Sequence, residues 1–430
     1  MGKLYGAVRS VNITPPLGMA LGGYMGRDHG AEGIMDDLFA KALVLSDGSE
    51  KAVLVTTDVA AIDYDLTKLV RDIVQKNTDI KGENVMITAS HTHSGPNACR
   101  RESNYAWMNI GDTEVNSAYY TILCQNIANA IIWANNNLEE VSIGVGRGSL
   151  LGIGSNRQDP TKPFDSEVYV LRIDGKNHEP MAVVVNYACH PTVLSESNYF
   201  VSGDFPSYMM RGISKLYPSC EAMFFQGAAG NISSRYNRKG SGFDEARRMG
   251  EMLAGEVIKV MNNVTMVDEI DIKVFNLPVE IPVRDFAPDE ICVKKIEDAK
   301  RNLARLQKEG ATDGLLRAAI VMLQGVEINY MLKKSLKIKA FSSEMQLIKL
   351  GKTLVVSVPG ELFNEIGIKV KKLSEKYDII VAGYANDYIG YIPTAECYDE
   401  DSYESGVAMV GRDAEKIILE SAEKLVSMVE

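Results

Sequence analysis

The stretch Asn84-Val-Met-Ile-Thr-Ala-Ser90 runs without a break into His91-Thr-His93-Ser-Gly-Pro96. Its first half is apolar, short and partly β-branched, the pattern of a buried strand. Its second half places two imidazoles where that strand gives way to a loop, and Gly95-Pro96 supplies a bend that lets both serve one site. The same grammar recurs four times. Ala182–Ala188 leads into Cys189-His190-Pro191, and Ala222–Gln226 leads into Gly227-Ala-Ala-Gly-Asn231-Ile-Ser233. Thr353–Val358 leads into Pro359-Gly360-Glu361, and Ile379–Gly383 leads into Tyr384-Ala-Asn386-Asp-Tyr388-Ile-Gly-Tyr391. Strand ends are where α/β sheets hold ligands, because the strands are rigid and the loops are free to vary.

Working outward, further strands are expected at Ala40–Leu45, Ala52–Thr57, Val141–Val145, Glu167–Ile173 and Glu344–Ile348. Helices are expected at Leu66–Lys76, Glu114–Asn135, Asp244–Met261, Asp289–Lys308, Leu315–Lys334 and Arg412–Met428, with Asp244 as the N-cap of the third. The alternation predicts an α/β (mixed α+β) fold, a large mixed β-sheet core flanked by helices. Asp285 to Lys334 is charge-rich and helical, and reads as a helical pair inserted at about 285–334 and joined by Gly310-Ala-Thr-Asp-Gly314. As a solvated decoration the pair needs no role; as a lid or an oligomer contact it has one. The plainer reading takes precedence. With no internal repeat and no low-complexity linker, residues 1–430 read as a single catalytic domain.

Lys plus Arg number 46 and Asp plus Glu 57, a net charge of −11, which gives phosphate backbones nothing to bind and argues against nucleic acid as partner. Hydrophobic residues at 46% and charged residues at 24% are those of an ordinary globule, which excludes a disordered or fibrous chain. Uninterrupted apolar runs such as Met181–Val185 fall far short of a membrane span. The N-terminal residues show no apolar signal core, and the six cysteines are scattered as reduced, buried thiols would be. A cytoplasmic protein is the expectation.

Of the five histidines, His91, His93 and His190 lie in the strand-end loops, whereas His29 and His178 do not. Together with a Glu361 carboxylate they would form a nitrogen and oxygen set suited to zinc, without the thiolates that mark many structural sites. Each residue also has a plain structural role open to it. His190 can be a satisfied buried histidine, Glu361 can sit favourably at the start of the helix through Leu362–Val370, and Ser233 can cap a turn.

At these loops the chain resembles the neutral (alkaline, non-lysosomal) ceramidase family, zinc-dependent amidases that cleave N-acyl bonds. The likeness begins with Asn12-Ile-Thr-Pro-Pro16, Gly22-Gly-Tyr24 and Asp37–Leu43, and continues through Thr57-Asp58 and His91–Pro96. It runs on through Asn156-Arg157, His190-Pro191, Ser202-Gly-Asp204, Gly230–Ser233, Pro359-Gly-Glu361 and Asn386–Tyr391 to Tyr403-Glu404. The resemblance implies a mixed α/β catalytic domain, a short bacterial-type member lacking the C-terminal immunoglobulin-like domain. It implies His91, His190, Glu361 and Tyr391 as zinc ligands. His93, Arg157 and Tyr403 would face the substrate carbonyl or the water, and Ser233 matches a functional serine. The serine loop departs from the family's usual Gly-Asp-x-Ser-Pro, reading Gly230-Asn-Ile-Ser-Ser234.

The expectation is therefore hydrolysis of a linear N-acyl amide, ceramide-like or another N-acyl amine, by a zinc-activated water. In that reading His93 passes a proton to the leaving amine, and Arg157 and Tyr403 stabilise the oxyanion. Attack by Ser233 instead would leave an acyl-enzyme. A metal-dependent esterase or phosphoester hydrolase using the same ligands, and a catalytically silent binding protein on the same scaffold, stay open as alternatives.

Overall fold

Three runs of strands follow one plan in the computed structural model, which describes residues 3–99, 113–162, 164–400 and 402–429. The first comprises β1 (Tyr5–Asn12), β2 (Phe39–Ser46), β3 (Lys51–Thr57), α1 (Tyr64–Asn77), β4 (Val85–Ala89) and α2 (Thr113–Asn136). The second comprises β5 (Ser142–Ser149), β6 (Glu167–Asp174), β7 (Pro180–Tyr187), α3 (Asp204–Leu216), β8 (Glu221–Gln226) and α4 (Phe243–Met261). The third runs from β9 (Ile272–Pro282) through α5 (Asp289–Lys308) and α6 (Asp313–Ser335) to β10 (Ala340–Leu350) and β11 (Thr353–Ser357). It continues with α7 (Asn364–Lys371), β12 (Asp378–Ala382), α8 (Tyr403–Val407) and α9 (Ala414–Ser427). In each run the first three strands pair antiparallel in order, and the fourth pairs parallel with the third across a helix.

The alternation of side chains decides how the sheets meet. Leu43, Leu45 and Leu54 of the first sheet, Leu171, Val184 and Phe225 of the second, and Ile348, Val355 and Ile380 of the third share one core. Their sequence neighbours, such as Val44, Val183 and Val356, point the other way and pack under helices. Strands buried on both faces read as continuous apolar runs, which is why they stood out in the sequence. The mixed α/β class holds, but the strands are divided among three principal sheets around a common core.

The threefold recurrence of topology was not legible as a sequence repeat, because strand order and pairing recur while residue identities do not. Several elements were also missed, β9 and α3 among them. β9 is an edge strand that carries Pro278 and exposes Lys273 and Glu280, so it lacks the apolar run of its neighbours. α3 opens on Asp204-Phe-Pro206, a loop-like signature, although proline is tolerated in a first helical turn. Asp244 does not cap α4. The cap position is Gly242, and Asp244 lies in the first turn paired with Arg247 at 2.8 Å. All six cysteines are buried, with no disulfide among the described residues.

The helical pair α5–α6 leaves the sheet between β9 and β10, as its sequence boundaries suggested. It is more than an outer decoration, since α6 packs on α8, with Asn329 Nδ2 donating to the Gly406 carbonyl at 2.6 Å. By length and composition alone, Gly314–Ser335 of α6 is apolar enough to cross a membrane, with 22% of its most apolar window buried. Counting uninterrupted runs had passed over it because Arg317 and Glu327 divide the helix.

The C-terminal ends of the parallel strands meet. Ala89 N–H donates to the Tyr384 carbonyl at 3.1 Å, and Gly383 N–H donates to the Gln226 carbonyl at 2.9 Å. The fully buried Gln226 side chain closes the group, donating to Ser90 O at 3.2 Å and Cys189 O at 2.9 Å and accepting from Cys189 N–H at 3.1 Å. Gln226→Leu strands those backbone groups in a dry core. It is expected to lower stability by about 3 kcal/mol in urea unfolding, whereas an isolated apolar swap would cost far less.

Candidate active site and metal centre

Each run contributes to this junction by the same device. The segment after its third strand pairs in parallel with the segment after its fourth. The pairs are Ala61 with Asn97, His190 with Ser233, and Glu361 with Tyr391. Two of the three positions following the third strand thus hold a potential ligand. The first run holds alanine there and supplies His91 from the end of β4.

His91 stands in the left-handed region, φ 64°, a conformation costly for a residue with a side chain and held here by packing on all sides. Its Nδ1 lies 2.6 Å from the Ala60 carbonyl, and Nδ1 of His190 lies 2.6 Å from the Ala229 carbonyl. A carbonyl only accepts, so in both rings Nδ1 carries a proton and Nε2 is the atom turned to the site. Those two Nε2 atoms face Glu361 Oε2, at 3.5 Å from His91 and 2.9 Å from His190. The carboxylate is fixed from behind by the hydroxyls of Tyr388, 2.5 Å from Oε1, and Tyr384, 3.4 Å from Oε2.

Three potential ligand atoms therefore converge on one point. Burial pushes the His91 imidazole down to about 4, so it is neutral at physiological pH. Burial opposes the Glu361 charge, but the neighbouring His91 and His190 outweigh it and hold the carboxyl at about 2. A bound cation would replace any proton shared among them. Rings anchored through Nδ1 to backbone carbonyls are the usual preparation for metal ligation through Nε2. His93 completes a buried group in which one nitrogen of each imidazole lies within 4.8 Å of the others.

His93 differs from the other two. Its Nε2 is 3.1 Å from Nε2 of His91, and its buried Nδ1 has no hydrogen-bond partner among the described residues. Burial drives its pKa well below the ordinary value. The ring is backed by Gly23, where φ is +86° and an added Cβ would stand 2.3 Å from the imidazole. Gly23→Ala is expected to push His93 out of place. Catalytic rate should fall by at least tenfold while the unfolding midpoint moves by only a few degrees, the strain being about 1–2 kcal/mol.

Tyr391 stacks beside His190 with ring centroids 6.4 Å apart, and its hydroxyl accepts from Arg157 Nη2 at 2.9 Å. Tyr403 stands edge-on to Tyr391 at 6.3 Å. Ser233 lies beside His190 in the backbone, but its Oγ accepts from Arg235 N–H at 3.3 Å and hydrogen-bonds to no histidine or carboxylate among the described residues. The residues singled out in the sequence thus gather at one place, with Ser233 lacking a base. The sequence reading missed the part played by Tyr384 and Tyr388 in holding Glu361, and by Glu404, which grips Arg157. The two tyrosines had a signal, since they flank Asn386-Asp in the last strand-end loop. The backing of His93 by Gly23 depends on a fold contact and had none.

A cavity of about 70 Å³ opens onto His91, His93 and Glu361. Its walls are Leu21, Met25, Ile328, Val407 and Met409, with the phenol faces of Tyr24, Tyr388, Tyr391 and Tyr403. Ile328 comes from α6, so the inserted helices build one side of the site. The lining suits an apolar group with a polar centre.

The family model for neutral/alkaline non-lysosomal ceramidase, N-terminal, matches residues 7–215. Neutral ceramidase of Mycobacterium tuberculosis is 23% identical, over 91% of this chain and 71% of its own length. Neutral ceramidase of Pseudomonas aeruginosa is also 23% identical, over 90% of this chain and 66% of its own length, so this chain spans about two thirds of these relatives. The crystal structure of the latter superposes on 100% of this chain and 75% of its own, with a TM-score of 0.78 at 20% identity. A ceramidase structure complexed with C2 gives 0.76 at 19% identity, over 100% of this chain and 76% of its own. In the family model, in these relatives and in the solved structures alike, the chain is similar to the neutral/alkaline non-lysosomal ceramidases.

Proposed function

We propose that this protein is a zinc-dependent amidohydrolase that cleaves the N-acyl bond of a linear lipid amide, ceramide or a related N-acyl amine. The observation that carries the proposal is the convergence of two Nε2 atoms and one carboxylate oxygen, with both rings anchored through Nδ1 to backbone carbonyls. Nitrogen and oxygen donors of this kind suit zinc, and the chemistry of the relatives' substrate suits the apolar pocket above them. His91, His190, Glu361 and Tyr391 would hold the ion. When bound, such an ion lowers the pKa of a water toward about 7 and polarises an acyl oxygen.

The rest falls to the chain. His93 takes the proton released as water adds to the acyl carbon and hands it to the amine nitrogen as the carbon–nitrogen bond breaks. Arg157 and Tyr403 donate hydrogen bonds to the oxygen that gains charge, each about 3–4 kcal/mol where well placed. Ser233, without a base, acts as a hydrogen-bond donor. The apolar wall keeps bulk water from competing and receives the acyl chain.

The test is a panel of N-acyl amines of varied chain length alongside matched esters, run on metal-loaded and chelator-treated protein. The proposal expects amide turnover that disappears on chelation and returns with zinc. Turnover of esters alone, or amide turnover indifferent to chelation, would replace this reading.

A further inference from the structure

Arg157 is the one cation that touches the proposed ligand shell among the described residues, and its direction is set by a second residue. Nε donates to Glu404 Oε1 at 2.5 Å, while Nη2 donates to the Tyr391 hydroxyl at 2.9 Å. Nη1 makes no hydrogen bond with a described residue and is left for a ligand. The other oxygen of Glu404 accepts from Gln158 Nε2 at 3.0 Å, so the carboxylate is itself held at both ends. Both side chains are nearly buried, at 11% exposure for Arg157 and 5% for Glu404.

A guanidinium is a planar fork, so fixing one edge fixes where the others point. Without an anchor on Nε, the plane is free to turn about the side-chain axis, and Nη2 need not stay on Tyr391. Glu404 lies on α8, whose N-terminus is capped by Ser402 accepting from Ser405 N–H at 3.1 Å. The same short helix carries Tyr403 into the pocket and rests against Gly325 of α6. α8 is therefore placed by α6 on one side and grips Arg157 on the other.

We propose that Glu404 is a positioning residue that holds the Arg157 guanidinium on the Tyr391 hydroxyl and leaves Nη1 for the acyl oxygen. This rests on the amidohydrolase reading for its catalytic consequence, though not for its geometry. Glu404 touches neither ion nor substrate; it acts through Arg157 alone. Outer residues of this kind are worth about 10–100-fold in metal affinity or activity.

The experiment compares Glu404→Ala, Glu404→Gln, Arg157→Ala and the Arg157→Ala/Glu404→Ala double variant. Kinetics are measured on an N-acyl amide that the wild type hydrolyses, with crystal structures of the two Glu404 variants. Glu404→Ala should lower kcat about 10–100-fold with a smaller change in KM. Glu404→Gln keeps an oxygen for Nε and should restore part of that loss. In the Arg157→Ala background, removing Glu404 should cost nothing more, because the two act as one unit. The Glu404→Ala crystal should show Nη2 away from Tyr391. A crystal in which Arg157 still donates to Tyr391, or an equal kcat loss in both backgrounds, would overturn the proposal. If Glu404→Ala does not fold, Glu404→Gln in both backgrounds carries the same comparison. Should the wild type cleave no amide, the amidohydrolase reading falls, while the crystallographic arm still decides the role of Glu404.

Discussion

Glu361→Ala is expected to leave the purified protein without bound divalent metal and to lower amide hydrolysis by on the order of 10³ or more. The rate loss corresponds to several kcal/mol of transition-state stabilisation, which is what a Lewis acid supplies. The argument is geometric. Glu361 Oε2 is the atom that faces both His91 and His190, so its removal leaves two rings without their shared carboxylate. A stability effect accompanies the catalytic one, because the Tyr388 and Tyr384 hydroxyls lose their acceptor in a buried site, at about 1–3 kcal/mol. Glu361→Gln separates the two effects. It keeps an oxygen for Tyr388 and so most of the stability, but it removes the charge. Metal content by elemental analysis should therefore fall in both variants, while the urea midpoint falls mainly in the alanine variant. Full metal content in Glu361→Gln with normal turnover would contradict the ligand assignment.

His93→Ala is the second large effect, and it decides what the third imidazole does. The three rings lie close enough to serve one ion together, so position alone leaves His93 between ligand and proton carrier. Two features separate it from its neighbours. Its Nδ1 is not anchored to a carbonyl, unlike Nδ1 of His91 and His190, and it lines the pocket where a substrate would sit. A ring that must accept and release a proton has to keep a nitrogen uncommitted; a structural ligand is better fixed at both. The expected outcome is a kcat lower by about 10²–10⁴, the usual contribution of general acid–base catalysis, with metal content unchanged. Loss of metal in step with activity would make His93 a ligand instead.

The site was more legible in the sequence than its architecture. Strands buried on both faces, such as β4 and β11, announce themselves as apolar runs, and a polar loop after each marks where chemistry can gather. That pattern alone brought His91, His190 and Glu361 together before any coordinates. The family likeness added Tyr391, Arg157 and Tyr403, which periodicity could not single out. The pairing of the segment after each third strand with the segment after each fourth could not be read, because Ala61, His190 and Glu361 have nothing in common as residues. Nor could the left-handed backbone of His91, which no local glycine or asparagine advertises. α6 was misjudged for a related reason: its charges suggested solvent, while Ile328 and Gly325 on one face belong to the site.

The most direct test of the central claim is an anomalous difference map at the zinc edge from crystals of the zinc-loaded protein. The account predicts one strong peak at about 2.0–2.2 Å from His91 Nε2, His190 Nε2 and a Glu361 oxygen, within reach of the Tyr391 hydroxyl. A peak bound elsewhere, or none beside these residues in crystals that hold zinc at other positions, would contradict it.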